Sequence, residues 1–304
     1  MDKKSYIEKN LKNLSLIRDV DSSDSQVEYL CPLCMKPFLT ERFQSDLTEE
    51  DVPQASLGGH RITLTCRNCN STCGSNIDFH LLNAINWLEQ RAFLPGTNRK
   101  VFVESGDKRL NAILKVAENR ELSLNVDTNR NNPRIWEYFH DNILLKDVII
   151  DTQDAPLKQD MRRISAAILK NAYLILFART GYTFLADTFY DSIRQQITKP
   201  DPFILPERLW TFQDISVADG IYLTQDNRYR GFFVIYSLTL RRVYRVCVLI
   251  PTPKVDYLSA CIGLRTILPH IPTRIIRLPD DDFLCDVRAI NRLKEWCNGW
   301  KLVF

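Results

Sequence analysis

Two Cys-x-x-Cys pairs, Cys31/Cys34 and Cys66/Cys69, constrain this chain more than any other feature. A two-residue gap lets both sulfurs of a pair turn onto one ion, and four soft thiolates make the closed tetrahedral set of a structural zinc site. About thirty residues separate the pairs, more than the usual zinc-ribbon spacing, so a folded element is expected between them. The bland alternative is two unrelated pairs of buried cysteines. Four of the nine cysteines falling into two such pairs weighs against it. The odd total, in metal rather than disulfide spacing, argues for a reducing compartment.

At 304 residues, with 45% hydrophobic and 25% charged positions, the chain has room for two domains or for one domain with an appendage. Its formal charge of +3 is too small to imply a polyanionic partner, but the charge is unevenly placed. Residues 1–96 carry 10 Lys+Arg against 13 Asp+Glu, and residues 97–304 carry 30 against 24. An acidic, cysteine-bearing segment before a basic remainder suits a metal centre beside a polyanion-binding body. The charged N-terminus has no apolar core, and the longest purely apolar run, Ala172 to Ala178, is far short of the ~20 residues needed to cross a bilayer. The expectation is a cytoplasmic protein without a membrane partner.

Apolar spacing over residues 4–18 predicts an amphipathic helix, followed by an Asp- and Ser-rich linker at 19–26. Between the cysteine pairs, Glu49 to Pro53 and Arg61 to Thr65 read as paired strands turned by Gly58-Gly59. Asn76 to Arg91 reads as a helix, with Ser75 and Asp78 in capping-box spacing at its start. The result is a ββα unit.

Farther on, Lys100–Glu104, Ala112–Ala117 and Glu121–Asp127 read as strands, and Pro133–Asn142 as a short helix. A long helix is expected over Leu157–Arg179, stopped by Gly181, and another over Leu185–Ile197. Three strands then follow at Gly220–Gln225, Tyr229–Ser237 and Arg242–Ile250. A last helix is expected near Arg288–Gly299.

Cys-x-x-Cys, then Thr48-Glu-Glu-Asp-Val-Pro53, Leu57-Gly-Gly59, Leu64-Thr-Cys-x-x-Cys-Asn70 and Gly74-Ser-Asn-Ile-Asp78, in that order, resembles the zinc-stapled branch of the HNH endonucleases. The resemblance covers residues 28–90, under a quarter of the chain. It implies a ββα-metal fold in which a divalent ion, Mg²⁺ or Mn²⁺, grips the scissile phosphate of DNA and a histidine on the first strand deprotonates water. Carried onto this chain, the resemblance makes Glu50, Asp51, Asn70 and Asp78 the oxygen ligands of that ion. Here Asp51 stands where the family has its histidine. A carboxylate with an unperturbed pKa near ~4 is a poorer base than an imidazole near ~6.5. Three outcomes are open. Asp51 is a metal ligand with metal-bound hydroxide as nucleophile, or His80 or His60 supplies the base, or the module is a zinc scaffold without catalysis.

Each residue also has a dull reading. Glu49, Glu50 and Asp51 make a solvated cluster before a turn, Asp78 a helix cap, Asn70 an Asx turn, and Cys73 a small core residue. Arg61 and Arg67 flank the second knuckle and are candidates for phosphate contact. No Gly-x-Gly-x-x-Gly, Walker loop or Gly-x-Ser-x-Gly is present, and histidines number only four.

The sequence therefore predicts an α+β protein in three parts. Residues 1–27 form a helix and linker, 28–92 a zinc-stapled HNH-like ββα-metal domain, and 96–304 a larger mixed α+β body. The functional expectation is a metal-dependent DNA endonuclease, and the resemblance implies a role in bacterial or phage restriction or defence. The rivals are a non-catalytic nucleic-acid-binding or assembly subunit and a regulatory subunit, with a protein partner or a second copy as further partners.

Overall fold

The computed structural model describes residues 2–18, 28–39, 43–141, 148–152, 160–183, 185–202, 204–205, 209–212, 217–224, 226–270 and 275–299. It is a mixed α+β fold with several small antiparallel sheets. The described chain divides into two compact units, Met1–Leu82 with Asp160–Phe304, and Asn83–Gln159. The cysteine-framed segment thus shares a unit with the C-terminal part of the chain. The linker expected at 19–26 and the expected helix start at 154–157 lie outside the described residues.

In the first unit, helix α1 (Lys3–Arg18) is followed by two-residue strands β1 (Tyr29–Leu30) and β2 (Pro37–Phe38), which pair antiparallel around the first cysteine knuckle. A single turn, α2 (Phe43–Asp46), leads into β3 (Leu47–Val52), which pairs with β4 (His60–Cys66). The connection needs its glycines. Gly58 sits at φ +83°, a left-handed conformation, and a Cβ on Gly59 would lie 1.3 Å from the Pro53 carbonyl oxygen. Helix α1 is fastened to this hairpin, Tyr6 Oη lying 2.9 Å from Thr63 Oγ1 and Lys3 Nζ donating to the Leu47 carbonyl at 2.7 Å.

The helix after the second knuckle starts earlier than expected. It runs as α3 (Arg67–Cys73), a five-residue π segment (Gly74–Asp78) and α4 (Phe79–Arg91). Cys66 is its N-cap, the sulfur accepting from the Cys69 amide. Ser75 and Asp78 therefore do not cap a helix start. Ser75 is inside the helix, its hydroxyl donating back to Ser71 and Thr72 carbonyls, and Asp78 is buried. A knuckle cysteine took the capping position that Ser-x-x-Asp spacing had suggested.

Helix α6 (Met161–Thr180) is the spine of this unit, with fourteen of its twenty residues buried. Asp160 caps it, accepting from the Arg162 and Arg163 amides. It touches β3, β4 and the π segment, and also the five-stranded antiparallel sheet β13-β10-β11-β12-β9. Strands β10 (Gly220–Thr224), β11 (Gly231–Thr239) and β12 (Val243–Pro251) are the expected meander. Edges β9 (Trp210–Phe212) and β13 (Ile275–Arg277) were not anticipated, being three residues each. Six consecutive buried residues at the start of β11 mean that both faces of this strand are covered.

The helix expected over 185–197 is shorter. Asp187 caps a 3₁₀ turn at Thr188–Tyr190, and the α-helix α7 spans only Asp191–Thr198. Helix α8 (Tyr257–Ile267), capped by Asp256, was missed, whereas α9 (Val287–Cys297) falls where expected.

The second unit holds the sheet β7-β6-β5-β8, made of β5 (Asn98–Ser105), β6 (Lys108–Val116), β7 (Leu122–Val126) and β8 (Ile149–Asp151). Alternating burial along β5 and β6 gives it one core face, Val101, Val103, Leu110, Ala112 and Leu114, closed by Phe139 of α5 (Pro133–Asp141).

Candidate functional site

Four sulfurs meet where the two knuckles face each other. Cys31 and Cys34 lie in the β1–β2 turn, closed by the Cys31 amide on the Lys36 carbonyl at 3.0 Å and the Met35 amide on the Cys31 carbonyl at 2.8 Å. Cys66 ends β4 and Cys69 lies in the first turn of α3. All four Sγ atoms lie within 4.8 Å of one another. A tetrahedron with zinc–sulfur bonds of about 2.3 Å has edges of about 3.8 Å; Cys34 and Cys66 are 3.9 Å apart. Backbone amides already solvate the sulfurs, Cys66 N donating to Cys31 Sγ at 3.3 Å and Cys69 N to Cys66 Sγ at 3.4 Å. The donor set fits a metal ion such as zinc. Cys73 is outside the set: buried beside Lys170, its thiol is pushed up to about 12 by burial.

A second cluster lies behind the first. Glu50 comes from β3, Asp78 from the π segment and Lys170 from the middle of α6, at 4%, 6% and 0% exposure. Lys170 Nζ donates to Glu50 Oε1 at 2.8 Å and to Asp78 Oδ2 at 2.5 Å. Thr65 Oγ1 donates to the other Glu50 oxygen at 2.9 Å. The two carboxylates thus converge on an ammonium group. Burial pushes Asp78 above the usual carboxylate range, and Lys170 pulls it partly back. For Lys170, burial lowers the pKa, and the two carboxylates outweigh it and hold the group above its ordinary value. Paired and hydrogen-bonded in this way, the charges are tolerable in the interior; alone, none would be.

The other candidate residues are placed differently. Asp51 lies half-exposed past a β-bulge that separates it from Glu50, in register with Arg61. Asn70 turns its amide to β3, donating to Thr48 Oγ1 at 3.1 Å and the Glu49 carbonyl at 3.3 Å, so it ties the helix to the hairpin. His80 is half-buried, its ring edge-on to Phe79, and His60 is exposed at the start of β4. Arg61 is exposed and pairs with Glu49 at 2.8 Å. Arg67 holds the Ser45 carbonyl through two nitrogens, at 3.1 and 2.9 Å. Among the described residues, only the four cysteines gather as a group able to hold a metal ion.

Lys170 was the residue missed. Its signal was present: Lys170-Asn171 interrupts an otherwise apolar run from Ala166 to Ala178, and a lysine buried in such a helix requires an acidic partner.

None of the described helices is long and apolar enough to cross a membrane. Comparison of the chain with protein-family models, with curated proteins and with solved structures finds no match.

Proposed function

We propose that this protein is a zinc-organised, HNH-like scaffold that works by binding rather than by phosphodiester hydrolysis. One observation carries the reading: the Lys170 ammonium already sits between the two carboxylates, at the point that a catalytic cation would need. With Asp51 where the family has a histidine, and Asn70 engaged with β3, the remaining parts of a hydrolytic centre are also diverted.

The rival reading, a Mg²⁺- or Mn²⁺-dependent DNA endonuclease, is favoured by the convergence of Glu50 and Asp78 from hairpin and helix. It requires Lys170 to leave so that an ion can enter. Incubation of the purified chain with supercoiled plasmid, linear duplex and single strands, in Mg²⁺ and in Mn²⁺, separates the two. The scaffold reading expects no cleavage by wild type or by Glu50→Gln. Cleavage that Glu50→Gln and Asp78→Asn both abolish would establish the endonuclease instead.

A further inference from the structure

The first unit carries a groove of about 550 Å³ that neither cluster uses. Four cations reach it from four separate elements: Lys9 of α1, Arg61 of β4, Arg179 of α6 and Arg277 of β13. Asp280 is the one acid among the described residues of its lining. Two of the cations are partly occupied, Arg61 by Glu49, and Arg179 by the Pro279 carbonyl at 2.8 Å and by the Asp280 carboxylate at 3.7 Å. Lys9 and Arg277 are exposed and form no ion pair with any described residue. The floor between these heads is aliphatic, with Ile62, Ile175, Ile221 and Leu278.

We infer that this groove is the docking site for an acidic amphipathic peptide segment of a partner protein, an inference that rests on the scaffold reading and names its partner class. The cationic rim selects a chain carrying carboxylates, and the aliphatic floor takes that chain's apolar side chains. The volume is within the range of about 300–1,000 Å³ usual for ligand pockets. A nucleic-acid strand fits less well. Single-strand binding relies on aromatic platforms. The one ring among the described lining residues, Tyr6, is half-buried with its hydroxyl held at Thr63. Charges drawn from four elements rather than one surface helix also mean that the positive field is fixed by the fold itself.

The test is fluorescence anisotropy of the full chain with a short fluorescein-labelled peptide of alternating glutamate and leucine pairs. Its glutamine counterpart and an oligodeoxythymidylate serve as competing probes. Saturable binding of the acidic peptide is expected, weakened roughly tenfold in Arg277→Glu and further in Lys9→Glu/Arg277→Glu. Neither position bears on the metal or carboxylate clusters, so circular dichroism should show both variants folded. Three outcomes overturn the inference: no saturable peptide binding, binding unchanged by either charge reversal, or preference for the oligonucleotide or the glutamine peptide. None of them bears on plasmid cleavage, so the inference and the scaffold reading fail separately.

Discussion

The cysteine cluster and the carboxylate cluster solve one electrostatic problem in opposite ways. Both take groups of one kind from the β3–β4 hairpin and the helix that follows it, and the cysteine cluster adds two from the β1–β2 turn. The sulfurs at 31, 34, 66 and 69 face one another at distances suited to an ion from solution. The oxygens of Glu50 and Asp78 are closed around a charge that the chain itself supplies, Lys170. Four thiols in a shared shell gain most from a cation that no side chain provides, whereas the two carboxylates are bridged by one lysine from a rigid helix. The lesson is that convergent acids alone do not mark a metal site; what occupies the point between them decides.

Removing the external cation should have the largest effect. Structural zinc in small domains contributes about 10–16 kcal/mol of apparent binding free energy. Elemental analysis should therefore find one zinc per chain, and a strong chelator or Cys66→Ser should collapse the thermal transition of the first unit. A metal-free protein that melts unchanged would break the comparison at its first term.

Removing the internal cation comes next. Lys170→Met leaves two buried carboxylates without a counter-charge and should cost about 3–5 kcal/mol in urea denaturation. The triple variant Lys170→Met/Glu50→Gln/Asp78→Asn should recover most of that loss, because no uncompensated charge remains. A single variant as stable as wild type would show that the ammonium is not needed.

The pH dependence sharpens the same point. Lys170 has its pKa raised in the folded chain by Asp78 and Glu50. Its contribution is thus complete below the ordinary lysine value of 10.5 and is lost as pH rises through the higher folded value. Equilibrium unfolding followed from neutral into strongly alkaline solution should show a decline for wild type that the triple variant lacks. Asp78, also raised, has the opposite preference to a salt-bridged surface acid: its protonation favours the fold, so it does not drive acid unfolding.

Smaller effects belong to the residues around the clusters. Asn70→Ala removes two hydrogen bonds that tie α3 to β3 and should cost about 1 kcal/mol. Arg61→Ala breaks only an exposed ion pair and should change stability by less than about 1 kcal/mol. A large effect at Arg61 would mean that its guanidinium does more for the hairpin than the pair with Glu49 accounts for.

Much of this was legible in the residues themselves. The knuckles, the β3–β4 hairpin and the meander follow from short-range rules: cysteine spacing, glycine at a left-handed turn, alternation along strands. A resemblance named Glu50 and Asp78 together, as ligands of one ion with Asp51 and Asn70, whereas both carboxylates lie on Lys170. What occupies the space between them was not legible. Lys170 is 120 positions from Glu50, and no local rule reports which distant helix will cross a hairpin. The start of α3 was misplaced for a related reason, since Ser75 and Asp78 satisfy a capping pattern whose role Cys66 already fills. Strands β9 and β13 have three residues each, too few for a period to register.

The π segment at Gly74–Asp78 sets the rotational phase between the end of the helix that carries Cys69 and the end that leads on through Phe79. In an α-helix each residue advances about 100° around the axis, so one residue gained or lost there would swing the downstream face by roughly that angle. An insertion or deletion in this short turn would carry the carboxylate away from its lysine while leaving the four clustered cysteines where they were. A length change across these five positions should therefore disturb the buried charges more than one in an exposed loop.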